Sequence, residues 1–209
     1  MSVPAANRFE RRRAVTRQAL VRAARQILAE SGDTSASIQA IAQRADVGFG
    51  SFYNHFTSKS DLFDAAVHDA VEEFAQAIDE RLHGVDDPAQ RLAAGVRLSA
   101  RLAESHPEIM RILCHSELGR ICAGRGLAPR ARRDVEQGIA AGRFAPVDPV
   151  IALSALNGSL LALLELWFDK SEVDIDQAAA TLAEMLLHML GLSPDDARDV
   201  ARSSLSAAA

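Results

Sequence analysis

Residues 37–63 read SIQAIAQRADVGFGSFYNHFTSKSDLF, and this stretch decides the fold. Ser37 suits an N-cap, its hydroxyl accepting from an otherwise orphan backbone N–H. Ile38, Ile41, Ala42 and Ala45 follow at helical spacing and make a narrow apolar face, with Gln39, Gln43 and Arg44 outside it. Asp46-Val47-Gly48 reads as a tight turn with its glycine at the reversal, and a second helix is expected from about Phe49 to Phe56. Two helices joined in this way form a helix-turn-helix, whose second helix fits a DNA major groove roughly 12 Å wide. Ser58, with Asp61 three residues on, opens a further helix in the manner of a capping box.

Upstream, a helix is expected over roughly Arg12 to Ser31, with Leu20, Ala24, Ile27 and Leu28 on one face and Gly32 ending it. Its stripe would pack behind the helix-turn-helix to give a three-helix unit. The run Arg8 to Arg13 before it reads as a basic arm (residues 1–11) reaching along phosphates or into the minor groove. The charge is asymmetric. The chain carries −5 overall, yet residues 1–60 hold nine basic residues against four acids, so that end is +5 and the remainder −10. Such asymmetry marks a DNA-contacting end joined to one that is not.

Ala45-Asp46-Val47-Gly48-Phe49-Gly50-Ser51-Phe52-Tyr53-Asn54-His55-Phe56, with Ser58-Lys59 and Leu62, resembles the DNA-binding signature of the TetR/AcrR family of transcriptional regulators. The resemblance implies phosphate contacts at Ser37, Tyr53, His55 and Lys59. Base edges are expected to face Gln39, Gly48, Phe49, Gly50 and Ser51: Gln pairs with adenine, Ser with several bases, and Phe49 offers an apolar face to a thymine methyl. The resemblance further implies a repressor released from its palindromic operator by a small effector bound in a second domain. A ligand-independent regulator and an activator are the alternatives.

Beyond residue 58 the chain reads helix after helix, without strand-type alternation. The domains are therefore expected as 1–58 for DNA and 59–209 for effector binding and dimerisation, in an all-α fold. A long helix from Lys59 to about His83 would join them. Further helices open at Asp87-Pro88, Pro107, Pro129, Asp148-Pro149, Asp174 or Asp176, and Ser193-Pro194. In the helix from Pro149, the small residues Ala152, Ala155, Ser159 and Ala162 repeat at steps of three and four, and Leu182, Met185 and Met189 follow suit in the next helix. These two helices read as half of a four-helix interface between identical subunits. A homodimer also meets the need for two reading helices on one palindrome.

His106, Met110, His115, Asn157, Leu161 and Glu165 are the candidate effector contacts, polar groups among apolar walls. No catalytic motif, cofactor loop or metal spacing occurs, so an enzyme is not expected, and no cofactor or metal is. Cys114 and Cys122 read as idle thiols rather than ligands. No run of about 18 apolar residues and no export signal are seen, so the expectation is a cytoplasmic protein with no membrane span.

Overall fold

The computed structural model describes residues 8–32, 34–115, 127–169 and 172–203. Every regular element among them is an α-helix. The head comprises α1 (Arg8–Ser31), α2 (Ile38–Arg44) and α3 (Phe49–Phe52). The helix α4 (Lys59–Arg81) leaves it and enters a second group: α5 (Pro88–Ser105), α6 (Pro107–His115), α7 (Leu127–Ala140), α8 (Pro149–Asp169), α9 (Ile175–Met189) and α10 (Pro194–Arg202). The expected helix end near Leu118, the glycine-rich loop 119–126, Cys122 and the side chains of Cys114 and His115 lie outside the described residues.

The core of the head follows from the spacing of its apolar residues. Leu20, Ala24 and Leu28 of α1 meet Ile41 of α2, Phe52 of α3 and Phe63 of α4, all of them buried. Each aromatic ring so buried contributes about 1.5–3 kcal/mol. Helix starts are written locally: Ser37, Ser58, Asp87, Asp174 and Ser193 each accept from a backbone N–H at their helix's first turn. Thus Asp174, and not Asp176, caps α9. Asp61 takes the N–H and hydroxyl of Thr57 at 3.0 and 3.3 Å instead of reaching back to Ser58.

Four expectations are corrected here. First, α1 begins at Arg8, so the arginine run is helical and not an extended arm. Second, α3 is one turn long, and the chain continues through Tyr53–His55 on tighter bonds, Asn54 N–H to Ser51 and His55 N–H to Phe52. Third, the residue in the left-handed region at the reversal is Asp46 (φ 53°), while Gly48 is extended. Val47 N–H returns to Ala42 and Asp46 N–H to Gln43, closing α2 as a Schellman motif in which Asp46 holds the place usually given to glycine. Asp tolerates that conformation better than most residues.

Fourth, α8 is by length and hydropathy able to cross a membrane, yet it packs on α5, α6, α7 and α9. Only 22% of its most apolar window is buried. Ala152, Leu156, Leu160 and Leu164 face the core, so Ala152 belongs to the chain's own interior and not to an outer stripe. Ala155 and Ser159 are half-buried, and Ala162 is exposed beside Ile151 and Leu166. On α9, Met185 and Met189 are exposed and Leu182 half-buried. Together these residues leave an apolar face on the outside of α8 and α9.

Candidate nucleic-acid interface and ligand cavity

The exposed side of the head carries most of the residues expected to meet DNA. Gln39, Gly48, Phe49 and Gly50 are exposed, and nothing lies within 4 Å of where a Cβ on Gly50 would stand. Tyr53 is 58% exposed but its ring is fixed, edge-on to Phe52 at 5.3 Å and to Phe49 at 6.0 Å. Phe52 and Phe56 thus serve the core, and Phe52 with Phe49 orients Tyr53, whose O–H stays available to a phosphate. Ser37 and Ser51 lie at the edges of this surface; the Ser37 oxygen accepts from Ala40 N–H at 3.1 Å.

Lys59 is placed differently from the expectation. Its Nζ donates to the carbonyls of Ser35 and Ala36 at 3.0 and 3.1 Å, tying α4 to the segment before α2. Two of its three donors are committed inside the head. His55 is half-buried beside α1, where Arg13 donates to the Asn54 carbonyl at 3.5 Å and the Arg17 guanidinium stands 5.1 Å over the Phe56 ring. Burial, then the charges of Arg13 and Arg17, hold the imidazole below its ordinary value. Arg44 is paired with Glu30 at 2.6 Å.

A small cavity of about 60 Å³ opens between α4, α5, α7 and α8. Its walls are Ile78 of α4 and Leu82 just after it, Leu92 and Val96 of α5, and Leu156 and Leu160 of α8. The polar groups are Asn157, Ser99 and two ion pairs. Arg91 Nε meets Asp134 at 3.2 Å and its Nη1 donates to the carbonyls of Leu82 and Val85. Arg130 grips α4 twice, at Asp79 and at Glu72 (2.8 Å), which raises its pKa, hydrogen bonding to Glu72 being the largest cause. Ser99 is buried and gives its proton to the Gly95 carbonyl at 2.7 Å, leaving its oxygen as an acceptor.

Of the expected effector residues whose side chains are described, this cavity takes Asn157 alone. Each step of four turns a side chain about 40° further around a helix. The row Asn157, Leu161, Glu165 therefore spirals from the cavity to half-buried and then exposed positions. His106 ends α5 with its exposed ring against Ser105 Oγ at 2.9 Å, and Met110 is buried in the core. The missed residues are Asp79, Arg91, Ser99, Arg130 and Asp134. One signal was present: Ala131, Asp134, Val135 and Gly138 share an inward stripe of α7 that should be apolar throughout.

Residues 20–66 match the family of bacterial regulatory proteins named for tetR, and residues 87–203 match the tetracyclin repressor-like C-terminal domain. The chain belongs to the TetR family of transcriptional regulators. The two family models are those of regulatory proteins, and neither is a catalytic family.

Among solved structures, it is similar to RolR in complex with resorcinol, at 31% identity over 93% of this chain and 97% of that one, with a TM-score of 0.66. FadR from Bacillus subtilis in complex with stearoyl-CoA shares the fold at 18% identity, covering 81% and 97%, TM-score 0.67. The HTH-type transcriptional regulator YvdT of Bacillus subtilis is 31% identical over 99 residues, which are 47% of this chain; the match spans half the length of that relative.

Proposed function

We propose that this chain is a homodimeric, cytoplasmic repressor that holds a palindromic operator and releases it when a small neutral ligand enters the cavity. The observation that carries this reading is the double use of α4. Near its C-terminal end it walls the cavity through Ile78, Asp79 and Leu82, and its N-terminal end is bonded into the head through Lys59. Between these ends Arg25 of α1 holds Asp69 and Glu73 at 2.9 and 2.6 Å. A ligand that disturbs Asp79 or Arg130 tilts a rod to which the head is fastened. The domains accordingly divide near residue 58, with α4 belonging to both.

The cavity lining argues for the ligand's class. Its arginines are already neutralised by Asp79, Glu72 and Asp134, so an anion such as an acyl-CoA finds no uncommitted positive charge. The carboxylates, Ser99 and Asn157 instead favour a compact, mainly apolar molecule with one or two hydroxyl groups. RolR, solved with resorcinol, accommodates a ligand of that kind. The outer face of α8 and α9 supports the dimer, with Met185 64% exposed and Ile151 67% exposed. No partner-free monomer gains from leaving such a face in water.

The experiment begins by selecting the operator from random duplexes. Resorcinol and related phenols are then titrated with and without that operator. Coupling of about 1–3 kcal/mol would weaken operator binding roughly 5–150-fold, and operator would weaken ligand binding equally. Equal ligand affinity in both titrations removes the proposed switch for that compound.

A further inference from the structure

The N-terminal part of α1 has no role in the head's core. Residues 9–15 are all exposed, and Leu20 is the first buried residue of the helix. About two turns, on the order of 12 Å, therefore extend past the packed head. The match to the tetR family model begins at residue 20, after these turns.

Its charges also differ from several arginines in the body of the chain. Arg25, Arg91, Arg130 and Arg143 are each held by carboxylates. Among the described residues, none of Arg11, Arg12 and Arg13 has a carboxylate within ion-pair distance, and Glu10 is the one acid between Arg8 and Arg17. With residues 9–15 exposed and Arg11, Arg12 and Arg13 outside ion-pair distance of any described carboxylate, the extension does little for stability. Its placement is nonetheless fixed, since Arg13 meets the Asn54 carbonyl and Arg17 covers Phe56, directly beside Tyr53 and His55. Burial lowers the pKa of His55, and the positive charges of Arg13 and Arg17 lower it further.

We propose that the first two turns of α1 are a sequence-independent DNA clamp, lying along a phosphate strand at the edge of the groove that α3 enters, with Arg11, Arg12 and Arg13 as its contacts. This rests on the reading of α3 as the DNA-reading helix. The helical state decides the mode of contact. A helix with side chains is about 10–12 Å across, whereas the minor groove is about 6 Å wide. The extension cannot thread that groove as an extended arm does, and the phosphate ridge is what remains. Such contacts position a protein without reading sequence.

The test uses the full chain and a random-sequence duplex, so that no operator need be known. Changing Arg11, Arg12 and Arg13 together to Gln touches exposed side chains only. Each phosphate contact contributes about 0.9 to the slope of log K against log salt. The triple variant should therefore show a slope shallower by about 2–3 and an affinity lower by roughly tenfold or more at 0.1 M salt, with the selected consensus unchanged. Replacement of the same three by Lys should restore both slope and affinity. A Gln variant with the parent's slope overturns the clamp while leaving the helix-turn-helix reading intact. Equal losses in the Gln and Lys variants also overturn it, because charge is then not the cause. A parent chain that binds no duplex at low salt removes the DNA reading itself.

Discussion

The two ends of α4 are fastened by different chemistry. At the N-terminal end, Ser58 caps the helix and Lys59 reaches carbonyls before α2, while nearby aromatic rings hold Tyr53 outward. At the other end, Arg130 arrives from α7 to grip Glu72 and Asp79, residues 58 and 51 positions away in sequence. One end is a compact unit whose polar groups are satisfied by near neighbours, leaving side chains free to face outward. The other is a cross-braced wall whose charges face inward and are already matched. A surface that must accept a phosphate keeps donors available; a wall that must respond to a small molecule holds its charges in pairs that can be exchanged.

The largest expected effect concerns the face outside both ends. Ala162→Glu with Met185→Glu places charges on the apolar α8–α9 surface. If a second copy covers it, an unpaired buried charge costs about 3–5 kcal/mol. Light scattering should show monomer or aggregate, and operator binding should fall with it. A stable dimer carrying both changes moves the interface elsewhere.

Next in size is the bracing of the cavity end. Arg130→Met leaves two carboxylates of α4 without this partner, and both are more than a third exposed (Glu72 40%, Asp79 37%). The expected loss is about 1–2 kcal/mol, below the value for a fully buried pair. Adding Asp79→Leu should recover part of it, and a double-mutant cycle in denaturant measures the coupling. Strict additivity would show that the pair does not brace the helix.

The head is expected to separate two roles that its motif runs together. Tyr53→Phe removes a phosphate donor and should weaken binding to all duplexes about fivefold, near 1 kcal/mol, with no change in melting temperature. Lys59→Ala should do the reverse in kind. It frees the Ser35 and Ala36 carbonyls, lowering the stability of the head while changing the salt slope little. Melting curves beside salt titrations distinguish the two, and a slope reduced by about 1 for Lys59→Ala would return that residue to the phosphates.

Smallest is a pH effect at His55. Burial, followed by Arg13 and Arg17, lowers its pKa below 6.5, so the free head disfavours the charged ring. As pH falls through 6.5 the unfolded chain takes up the proton first, and this residue's contribution to folding declines until the folded pKa is passed. A phosphate beside the ring reverses the preference. Affinity for DNA should thus rise about two- to fivefold on acidification from roughly pH 7.5 to 6, and His55→Gln should flatten that rise. A parent profile that is already flat would place His55 away from the phosphate.

These differences explain what the chain discloses before it folds. The head was legible because its determinants are close together: Ser37 and Ala40, Ser58 and Asp61, Phe52 and Phe56 are neighbours at helical spacing. Lys59 misled because a cation near a helix start suits phosphate as well as carbonyls, and only packing decides between them. The cavity was hidden for a different reason. Arg91 and Asp134 pair across 43 residues, and RARRD reads as a solvated run until α5 closes over it. The small-residue row of α8 was seen correctly as a pattern, but its phase was not, so Ala152 turned out to face inward.

The apolar face of α8 has a consequence for dosage. If only a second copy covers it, the active species forms in proportion to the square of the free chain wherever monomers prevail, and halving the supply leaves about a quarter of the dimers. A gene under such control would respond to modest changes in the regulator's synthesis more sharply than a one-chain switch allows. Its off-state would be steep with respect to protein level before any ligand is present.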